Sequence, residues 1–319
     1  MNNSAVSSSG SLTFSCIGGG RLGSTLCRLF AEQQTLDIAI GQLLNRHLES
    51  ASHAVRFIGQ GEAVATMNQL KPADLWLIAT PDDKIETVSR ALAETMLLRP
   101  GDMVFHCSGS LNSEVLSLPQ DQSQSAAEKA CLRASVHPIH SFADPAKSVS
   151  SFAGSSCAVE GEAAASDYVT RLFSAIGGNC FALRSDKKTL YHAATVMACN
   201  NLVALLASSK QMLAAADIAA DQQDAILNPL IRQTVDNYLY HSDARAVLTG
   251  PISRGDSDTV AAHLRAIADS DQTQAASWQS VYAALGEVAV EIARQQAYAS
   301  EDKLDNITQL LANSANTSD

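Results

Sequence analysis

The chain carries Phe14-Ser15-Cys16-Ile17-Gly18-Gly19-Gly20-Arg21-Leu22-Gly23, an apolar run of strand length that breaks into glycines and continues in a helical pattern. In such a turn Gly18 permits the tight bend, Gly20 lets backbone approach a pyrophosphate, and Gly23 lets the helix pack closely on the strand. The helix N-terminus, with Arg21 and Leu22 in its first turn, then presents unpaired N–H groups to the phosphates. The segment predicts a dinucleotide site, and the alternative is a purely structural turn.

Strand and helix patterns alternate over the first half of the chain, which predicts a mainly parallel, doubly wound sheet of the Rossmann type in an α/β domain. The predicted strands are 13–17, 38–44, 54–58, 75–79, 103–106, 132–136, 157–159 and 180–183. From Asp186 onward, alanine- and leucine-rich patterns predict only helices, and the Asn228-Pro229 pair, typical of a cap and first turn, indicates two helices that meet at a kink. We therefore expect a disordered tail at 1–12, a Rossmann NADP-binding domain at 13–185, an all-helical substrate and dimerisation domain at 186–312, and a polar tail at 313–319.

Composition narrows the classes of partner. The 319 residues are 46% hydrophobic and carry a net charge of −11 with no basic block, which argues against nucleic acid. The seven cysteines are scattered without a Cys-x-x-Cys pair, which favours buried thiols in a reducing compartment. No signal sequence is evident, and no apolar run has the 18 or more residues of a membrane span. We expect a cytoplasmic protein with a small-molecule substrate and no membrane partner.

The end of the second predicted strand bears on the choice of cofactor. NAD-specific sites usually place an acid there, whereas this chain has Asn45 and Arg46, and Arg46 can pair with a 2′-phosphate. The sequence therefore predicts NADP(H), with a solvated loop arginine as the alternative. Thr80 and Pro81 follow another apolar strand and are expected to flank the nicotinamide ribose; an ordinary turn, with an aspartate capping the next helix, would also explain them.

Polar segments recur where the predicted topology places loops at one rim of the sheet. These segments are His106–Ser110, His137–Phe142 and Leu248–Asp256. Together with the glycine turn and the helix from Tyr191 to Asn201, they occur in the order seen in the bacterial Rossmann-like family with a C-terminal domain of unknown function 2520, which the chain resembles over about residues 13–300.

That family is similar to pyrroline-5-carboxylate reductases, 6-phosphogluconate dehydrogenases and F420-dependent NADP oxidoreductases. The resemblance implies a second domain like the C-terminal domain of 6-phosphogluconate dehydrogenase. One departure is informative: β-hydroxyacid dehydrogenases carry a catalytic lysine just before a Cys-Asn-Asn run, whereas Met197 and Ala198 precede Cys199 here. Reduction of a C=N or C=O bond in a small, carboxylate-bearing substrate is the closer analogy. The alternative is a nucleotide-binding sensor or scaffold without turnover.

Such a reduction takes hydride from the cofactor and needs a proton donor, for which histidine suits neutral pH. We select His192 first and His140 next as catalytic candidates, while a structural histidine is the alternative for each. Ser108 is predicted to bind the cofactor, although an ordinary turn at the strand end would also explain both Ser108 and Ser110. The predicted substrate-binding residues are Ser110, His137, Asn200, Thr249 and Arg254, the last as a bidentate carboxylate anchor.

Two further expectations concern metals and assembly. A site formed by His106, His137 and His140 is the only metal alternative, and the intervening Pro138 argues against it, so no metal is predicted. The helical half offers more apolar surface than one small domain can bury. We therefore expect a homodimer built through the helix at 190–212 and the helix near Trp278.

Overall fold

A computed structural model describes residues 11–118, 131–270 and 273–315, so the predicted tails lie largely outside the described residues. The chain divides into two compact units, Met1–Val196 and Met197–Asp319. Leu12 already belongs to the first strand, and the last helix continues to Ala315.

The first unit is a doubly wound α/β fold, as predicted. Its strands are β1 (Leu12–Ile17), β2 (Ile38–Leu44), β3 (Glu62–Val64), β4 (Leu75–Ile78), β5 (Met103–His106), β6 (Leu132–Pro138), β7 (Ser156–Gly161) and β8 (Asn179–Ala182). Its helices are α1 (Arg21–Glu32), α2 (Leu48–Ile58), α3 (Asp82–Glu94), α4 (Pro145–Ser151), α5 (Ala163–Ala175) and α6 (Lys188–Val196). The sheet order is β3-β2-β1-β4-β5-β6-β7-β8, and only the β6–β7 pair is antiparallel.

Both faces of this sheet are covered by apolar clusters, which explains why its central strands are continuous apolar runs. Phe14, Phe30 and Phe105 belong to the cluster on one face, while Trp76 and Val104 belong to the other. Because β1, β4, β5 and β6 run parallel, their carboxyl ends meet at one edge, which we call the ligand edge.

One predicted strand is wrong: residues 54–58 lie in α2. Its buried residues Ala51, Ala54 and Ile58 recur at helical spacing, and the helix ends at Gly59, whose backbone is left-handed. A short apolar run does not by itself distinguish a strand from a buried helix, and the actual strand here is the three-residue β3.

The second unit is helical throughout its described residues. A π-helical turn, Met197–Asn201, precedes α7 (Leu202–Ala215), α8 (Ala220–His241), α9 (Ala244–Val247), α10 (Pro251–Arg254), α11 (Ser257–Ala268), α12 (Ala275–Gln296) and α13 (Glu301–Ala315). The predicted division into two helices at Pro229 is wrong, because α8 continues through this residue. The apolar core comes mainly from α11, α12 and α13, whereas α7 contains no buried residue.

One described helical segment, Ser185–Ala215, is long and apolar enough to cross a membrane by length and composition, and its apolar window is not buried. The expectation that no stretch reaches that length is therefore wrong. Polar residues such as Asn200 and Ser208 interrupt the apolar run, but alanines and leucines keep the average over the window apolar.

Candidate functional site

The glycine turn packs directly against the end of β4. Gly18 has a φ of 105°, and a Cβ atom there would lie 2.6 Å from the carbonyl carbon and oxygen of Ala79. A Cβ on Gly23 would collide with the Gly18 carbonyl oxygen. No side chain could fit at either position without moving backbone, so these two glycines build the turn. Gly20 differs, because a Cβ there would meet no atom within 4 Å.

A cleft of about 630 Å³ opens beside this turn, at the ligand edge. Gly18, Gly19 and Gly20 line it, and Gly20 precedes α1 without any side-chain cap on the helix. The Asn45 side-chain oxygen accepts the Gly19 N–H at 2.5 Å and so fixes the turn to the end of β2. The first N–H groups of α1 are thus left for a ligand, which is the arrangement that binds phosphate.

The cleft carries positive charge and no described acid. Arg46, His47 and Lys84 line it, and none of the described lining residues is an aspartate or a glutamate. Arg46 is exposed and makes no ion pair with any described carboxylate. An anionic group at Arg46 would therefore meet no ion-paired acid, whereas Lys84 already pairs with Asp83 at 2.9 Å.

The other predicted cofactor residues divide into two groups. Thr80 and Pro81 line the cleft, and the buried Thr80 hydroxyl has no hydrogen-bond partner. Arg21 and Leu22 are not among the lining residues. The Arg21 guanidinium donates to the Ala143 carbonyl at 3.5 Å instead.

Hydrogen bonds link the start of α3, beside the cleft, to the residues that follow β5. Asp82, directly after Pro81, accepts the Ser108 hydroxyl at 2.6 Å and the Ser110 hydroxyl at 3.1 Å. Asp82 lies in the first turn of α3 rather than at the capping position. Both predicted serines are thus engaged with a carboxylate, and Gly109 lies between them.

Two histidines converge on Gly109. A Cβ placed there would overlap His192 Nδ1 and lie 2.9 Å from His137 Nε2. The two imidazole rings meet edge to face with centroids 5.4 Å apart. His137 Nδ1 lies 2.9 Å from the Tyr191 hydroxyl, whereas the buried His192 Nδ1 has no partner. The structure therefore brings together the predicted donor His192 and the predicted substrate-binding residue His137.

The environment holds the His137 ring neutral. Burial, followed by the neighbouring His192 and Lys188, lowers the pKa of His137 to about 4, against a smaller opposing effect of Asp82. Burial raises the pKa of the Tyr191 phenol to about 12. At neutral pH both groups are uncharged, so their contact is a hydrogen bond between neutral partners.

The remaining candidate histidines are engaged with protein groups. His140 contacts the hydroxyls of Ser155 at 3.0 Å and Ser151 at 3.3 Å. The buried His106 accepts the Ser108 N–H at 3.1 Å, and its other nitrogen contacts the Asn112 carbonyl. Across the ranges that the structure describes, no group of three or more histidine, cysteine, aspartate or glutamate side chains is placed to hold a metal.

A buried ion pair lies below the histidines, and the sequence analysis missed it. Lys188 Nζ lies 3.1 Å from Glu160, and both side chains are at most 2% exposed. Lys188 also donates to the Ser135 hydroxyl. Glu160 accepts further hydrogen bonds from the Ser113 backbone, the Ser113 hydroxyl and the Ser185 hydroxyl. Lysine and glutamate are almost never fully buried unless paired, so the fold retains this charge inside the first unit.

The last three predicted substrate-binding residues belong to the second unit. Asn200 lies in the π-helical turn, Thr249 precedes α10, and Arg254 ends α10; all three are exposed. No described carboxylate lies within ion-pair distance of Arg254, and Asp256 instead caps α11 through Thr259. Their role in substrate binding stays a prediction.

Comparison with known proteins agrees with the resemblance inferred from the motifs. Residues 2–138 match the model of the Rossmann-like domain, and residues 155–289 match that of DUF2520, a domain of unknown function. The chain therefore contains a Rossmann-like domain followed by a DUF2520 domain over the matched residues. No curated protein sequence matches the chain significantly.

Solved structures share the fold. A protein from Thermotoga maritima is 25% identical over 89% of this chain and 99% of its own, with a TM-score of 0.65. A proposed NADP oxidoreductase from Bacteroides fragilis is 19% identical over 90% and 98%, with a TM-score of 0.64. The reductive aminase from Aspergillus terreus, in complex with NADPH and ethyl-5-oxohexanoate, is 14% identical over 97% and 95%, with a TM-score of 0.54.

Proposed function

We propose that this chain, a Rossmann-like domain followed by a DUF2520 domain, is an NADP(H)-dependent oxidoreductase that reduces a C=N or C=O bond in a small, carboxylate-bearing substrate. One observation carries the proposal: two buried polar atoms without partners, Thr80 Oγ1 and His192 Nδ1, mark the ligand edge. Buried polar groups are normally satisfied, so these two atoms indicate a ligand. The structurally similar NADP oxidoreductases support the same class of reaction.

The described residues fit a pyridine nucleotide. The turn at Gly18 and the uncapped start of α1 suit a pyrophosphate, and the unpaired Arg46 suits a 2′-phosphate. Thr80 would hold the nicotinamide ribose. When bound, the nicotinamide supplies hydride to the carbon of the C=N or C=O bond.

The chain's own residues would position the substrate and move one proton. His192 would protonate the substrate nitrogen or oxygen, and His137 would donate a hydrogen bond to the same atom. Burial around the pair excludes water and strengthens both interactions. We assign the carboxylate anchor to Arg254, because its guanidinium is exposed and unpaired among the described residues.

The test is a thermal-shift titration with NADPH and NADH, followed by NADPH oxidation with a panel of keto and imino acids. We expect NADPH to raise the melting temperature more than NADH does, and at least one substrate to be turned over. An unchanged melting temperature at saturating NADPH would contradict the cofactor assignment. Tight NADPH binding with no turnover across the panel would favour the sensor or scaffold.

We also propose that the second unit joins a second copy of the chain through α7 and α8. The other helix expected at this contact, α12, buries Trp278 within the unit. In the single chain α7 contains no fully buried residue, and large apolar residues such as Val203, Leu230 and Leu239 are exposed. Soluble monomers rarely expose so much contiguous apolar surface. Sedimentation should give a dimer of the 33.7 kDa chain, and a monomer at micromolar concentration would refute it. The cytoplasmic location stays a prediction.

A further inference from the structure

Tyr191 contacts two side chains that belong to one row across the sheet. His137 on β6 pairs with Ala158 on β7, and Ala158 pairs with Phe181 on β8. Directly paired residues of neighbouring strands point to the same face of a sheet. His137, Ala158 and Phe181 therefore form a row of three side chains on one face.

The middle position of this row leaves room for the tyrosine ring. The Tyr191 ring centroid lies 5.7 Å from that of His137 and 6.1 Å from that of Phe181. Two strand spacings, about 9.5 Å, separate β6 from β8, so a ring at these distances from both outer rings lies over the middle strand. The side chain beneath it is Ala158, which is 1% exposed and places only a methyl group there.

This position puts the tyrosine hydroxyl against one nitrogen of the imidazole. The Tyr191 hydroxyl lies 2.9 Å from His137 Nδ1, and the two rings meet at 80°. The other nitrogen, His137 Nε2, lies beside Gly109 and has no protein partner among the described residues. Tyr191 therefore holds the imidazole by one nitrogen and leaves the other free for a ligand.

A neutral imidazole carries a single hydrogen, so the bond made by Nδ1 decides what Nε2 can do. At pH 8 the ring is neutral, since even an ordinary histidine titrates near pH 6.5. A phenol O–H titrates near pH 10, whereas the N–H of a neutral imidazole does not titrate in water, so the phenol is the more acidic donor. The part of the chain that the structure describes places no other acceptor at the Tyr191 hydroxyl. The hydroxyl therefore donates to Nδ1, and the ring hydrogen lies on Nε2.

We propose that Tyr191 is a positioning residue of this site, which fixes the hydrogen of His137 on Nε2 and directs that N–H at the ligand. This inference rests on the oxidoreductase function proposed above and limits the form in which the substrate is bound.

A ring nitrogen that carries a hydrogen donates and does not accept, so His137 Nε2 requires a lone pair on the atom that it meets. A carbonyl oxygen and an unprotonated imine nitrogen have such a lone pair, whereas an iminium nitrogen has none. The substrate is therefore bound as a neutral carbonyl or imine, and its proton comes from the protein.

The reduction then balances with one hydride and one proton. The carbon of the C=N or C=O bond gains hydride from NADPH, and the nitrogen or oxygen gains the proton of His192. His137 keeps its hydrogen throughout, and its N–H stabilises the negative charge that develops on that nitrogen or oxygen. His192 recovers a proton from solvent, and NADP+ and the reduced product leave.

The experiment is 15N NMR of the histidine rings in the full-length protein at pH 8, without cofactor or substrate. The method distinguishes a ring nitrogen that carries hydrogen from one that does not, and His137→Gln assigns the signals by their loss. In the wild type we expect the hydrogen on His137 Nε2. Tyr191→Phe keeps the ring over Ala158 and removes only the hydroxyl. Its two His137 signals should move toward each other, because both tautomers become populated.

A second tyrosine provides the matched control. The Tyr282 hydroxyl lies 2.8 Å from His263 Nδ1, and their ring centroids are 5.9 Å apart at an angle of 89°, so this pair repeats the same chemistry. His263 is exposed on α11, in the second unit, and the proposed site includes neither residue. Tyr282→Phe should leave the His137 signals unchanged.

Three NMR results would overturn the inference. The first is a wild-type protein with the hydrogen on His137 Nδ1, and this measurement needs no variant to fold. The second is a folded Tyr191→Phe protein whose His137 signals match those of the wild type. The third is a shift of the His137 signals in Tyr282→Phe that equals the shift in Tyr191→Phe.

A kinetic arm distinguishes this inference from the proposed function. With a substrate that the wild type turns over, Tyr191→Phe should lower kcat about two- to tenfold, because one neutral hydrogen bond that orients the donor is lost. KM and the affinity for NADPH should stay within about twofold of the wild type. Equal losses of kcat and NADPH affinity would indicate a structural role and overturn the inference. If the wild type turns over no substrate, the proposed function fails, while the NMR arm still decides where the hydrogen lies.

The form of the substrate is tested with a permanently charged iminium salt, whose nitrogen carries an extra alkyl group in place of the lone pair. The comparison is the neutral imine or carbonyl compound of the same carbon skeleton. We expect kcat/KM for the salt to be at least about tenfold lower, because Nε2 has no lone pair to meet. A salt that is reduced as fast as the neutral compound would overturn the donor role of His137.

Discussion

The nucleotide cleft and the histidine pair lie at the same edge of one sheet but are built differently. The cleft is formed largely by the backbone. Gly18 and Gly23 are required there because any side chain would collide with main-chain atoms. Side chains from different elements make the other site, where His137 and His192 come from a strand and a helix. Mutation of the cleft glycines should strain the backbone and lower the stability of the protein. Mutation of the histidines should impair proton transfer while the protein remains folded.

The largest effect is expected at Gly18. Gly18→Ala forces an L residue to a φ of 105° and places its Cβ 2.6 Å from the Ala79 carbonyl. We expect the free energy of unfolding in denaturant to fall by about 2–5 kcal/mol and NADPH binding to disappear. Gly20→Ala is the control, because that site has open space. It should cost less than about 1 kcal/mol of stability yet weaken NADPH binding, and equal destabilisation by both variants would contradict a backbone-built cleft.

The second effect concerns proton transfer. His192→Ala should lower kcat by about 10²- to 10⁴-fold, because the donor is lost, while calorimetry shows unchanged NADPH affinity. His140→Ala is the comparison, since its ring contacts Ser151 and Ser155 rather than the unpartnered edge. A loss of the same size in His140→Ala would show that the donor has been misassigned.

The third effect is a pH dependence of stability. Burial lowers the pKa of His106 to about 4, below the 6.5 of an unfolded histidine. The unfolded chain therefore binds more protons between these values, and stability falls as the pH drops from about 6.5 toward 4. His106 alone contributes about 3 kcal/mol to this loss. Denaturant curves across that range should show a flatter dependence for His106→Gln, whereas the exposed control His53→Gln should retain the wild-type slope.

The smallest effect should separate the two nucleotides. Arg46→Ala removes the unpaired guanidinium from the cleft, so NADPH affinity should fall about 10- to 100-fold while NADH affinity stays nearly constant. NADH thus acts as the internal control in the same titration. If Arg46→Ala lowered the affinity for both nucleotides equally, Arg46 would have a structural role. If it lowered neither affinity, another residue would bind the 2′-phosphate.

The difference between the backbone-built cleft and the side-chain site also explains which features the sequence could predict. The doubly wound sheet and the helical second half follow from local periodicity, and the glycine turn is contiguous in the chain. Errors arose where the local pattern is ambiguous, as in α2, or where a helix continues through a proline, as α8 does at Pro229. The role predicted for Arg254 rests on the sequence alone.

Long-range pairing was the information that the sequence lacked. Glu160 and Lys188 are separated by 28 residues, and no local motif joins them. A usable signal did exist: Ser135 and His137 alternate on a strand, and Lys188, Tyr191 and His192 recur at helical spacing. These residues form a site only because α6 packs beside β6 in one register. That register is set by β7 and β8, which lie between the two elements in the sequence.

The antiparallel strand β7 has a consequence for the order of residues along α6. Because β7 runs against β6, and β8 runs with β7, the chain leaves the sheet at the edge opposite the ligand. Helix α6 therefore runs beside β6 toward the ligand edge. Lys188 lies at its start, far from that edge, and His192 lies one turn nearer to it. If β7 and β8 ran parallel to β6, α6 would begin at the ligand edge and run away from it. The same arrangement of side chains would then require the histidine to precede the lysine in the sequence.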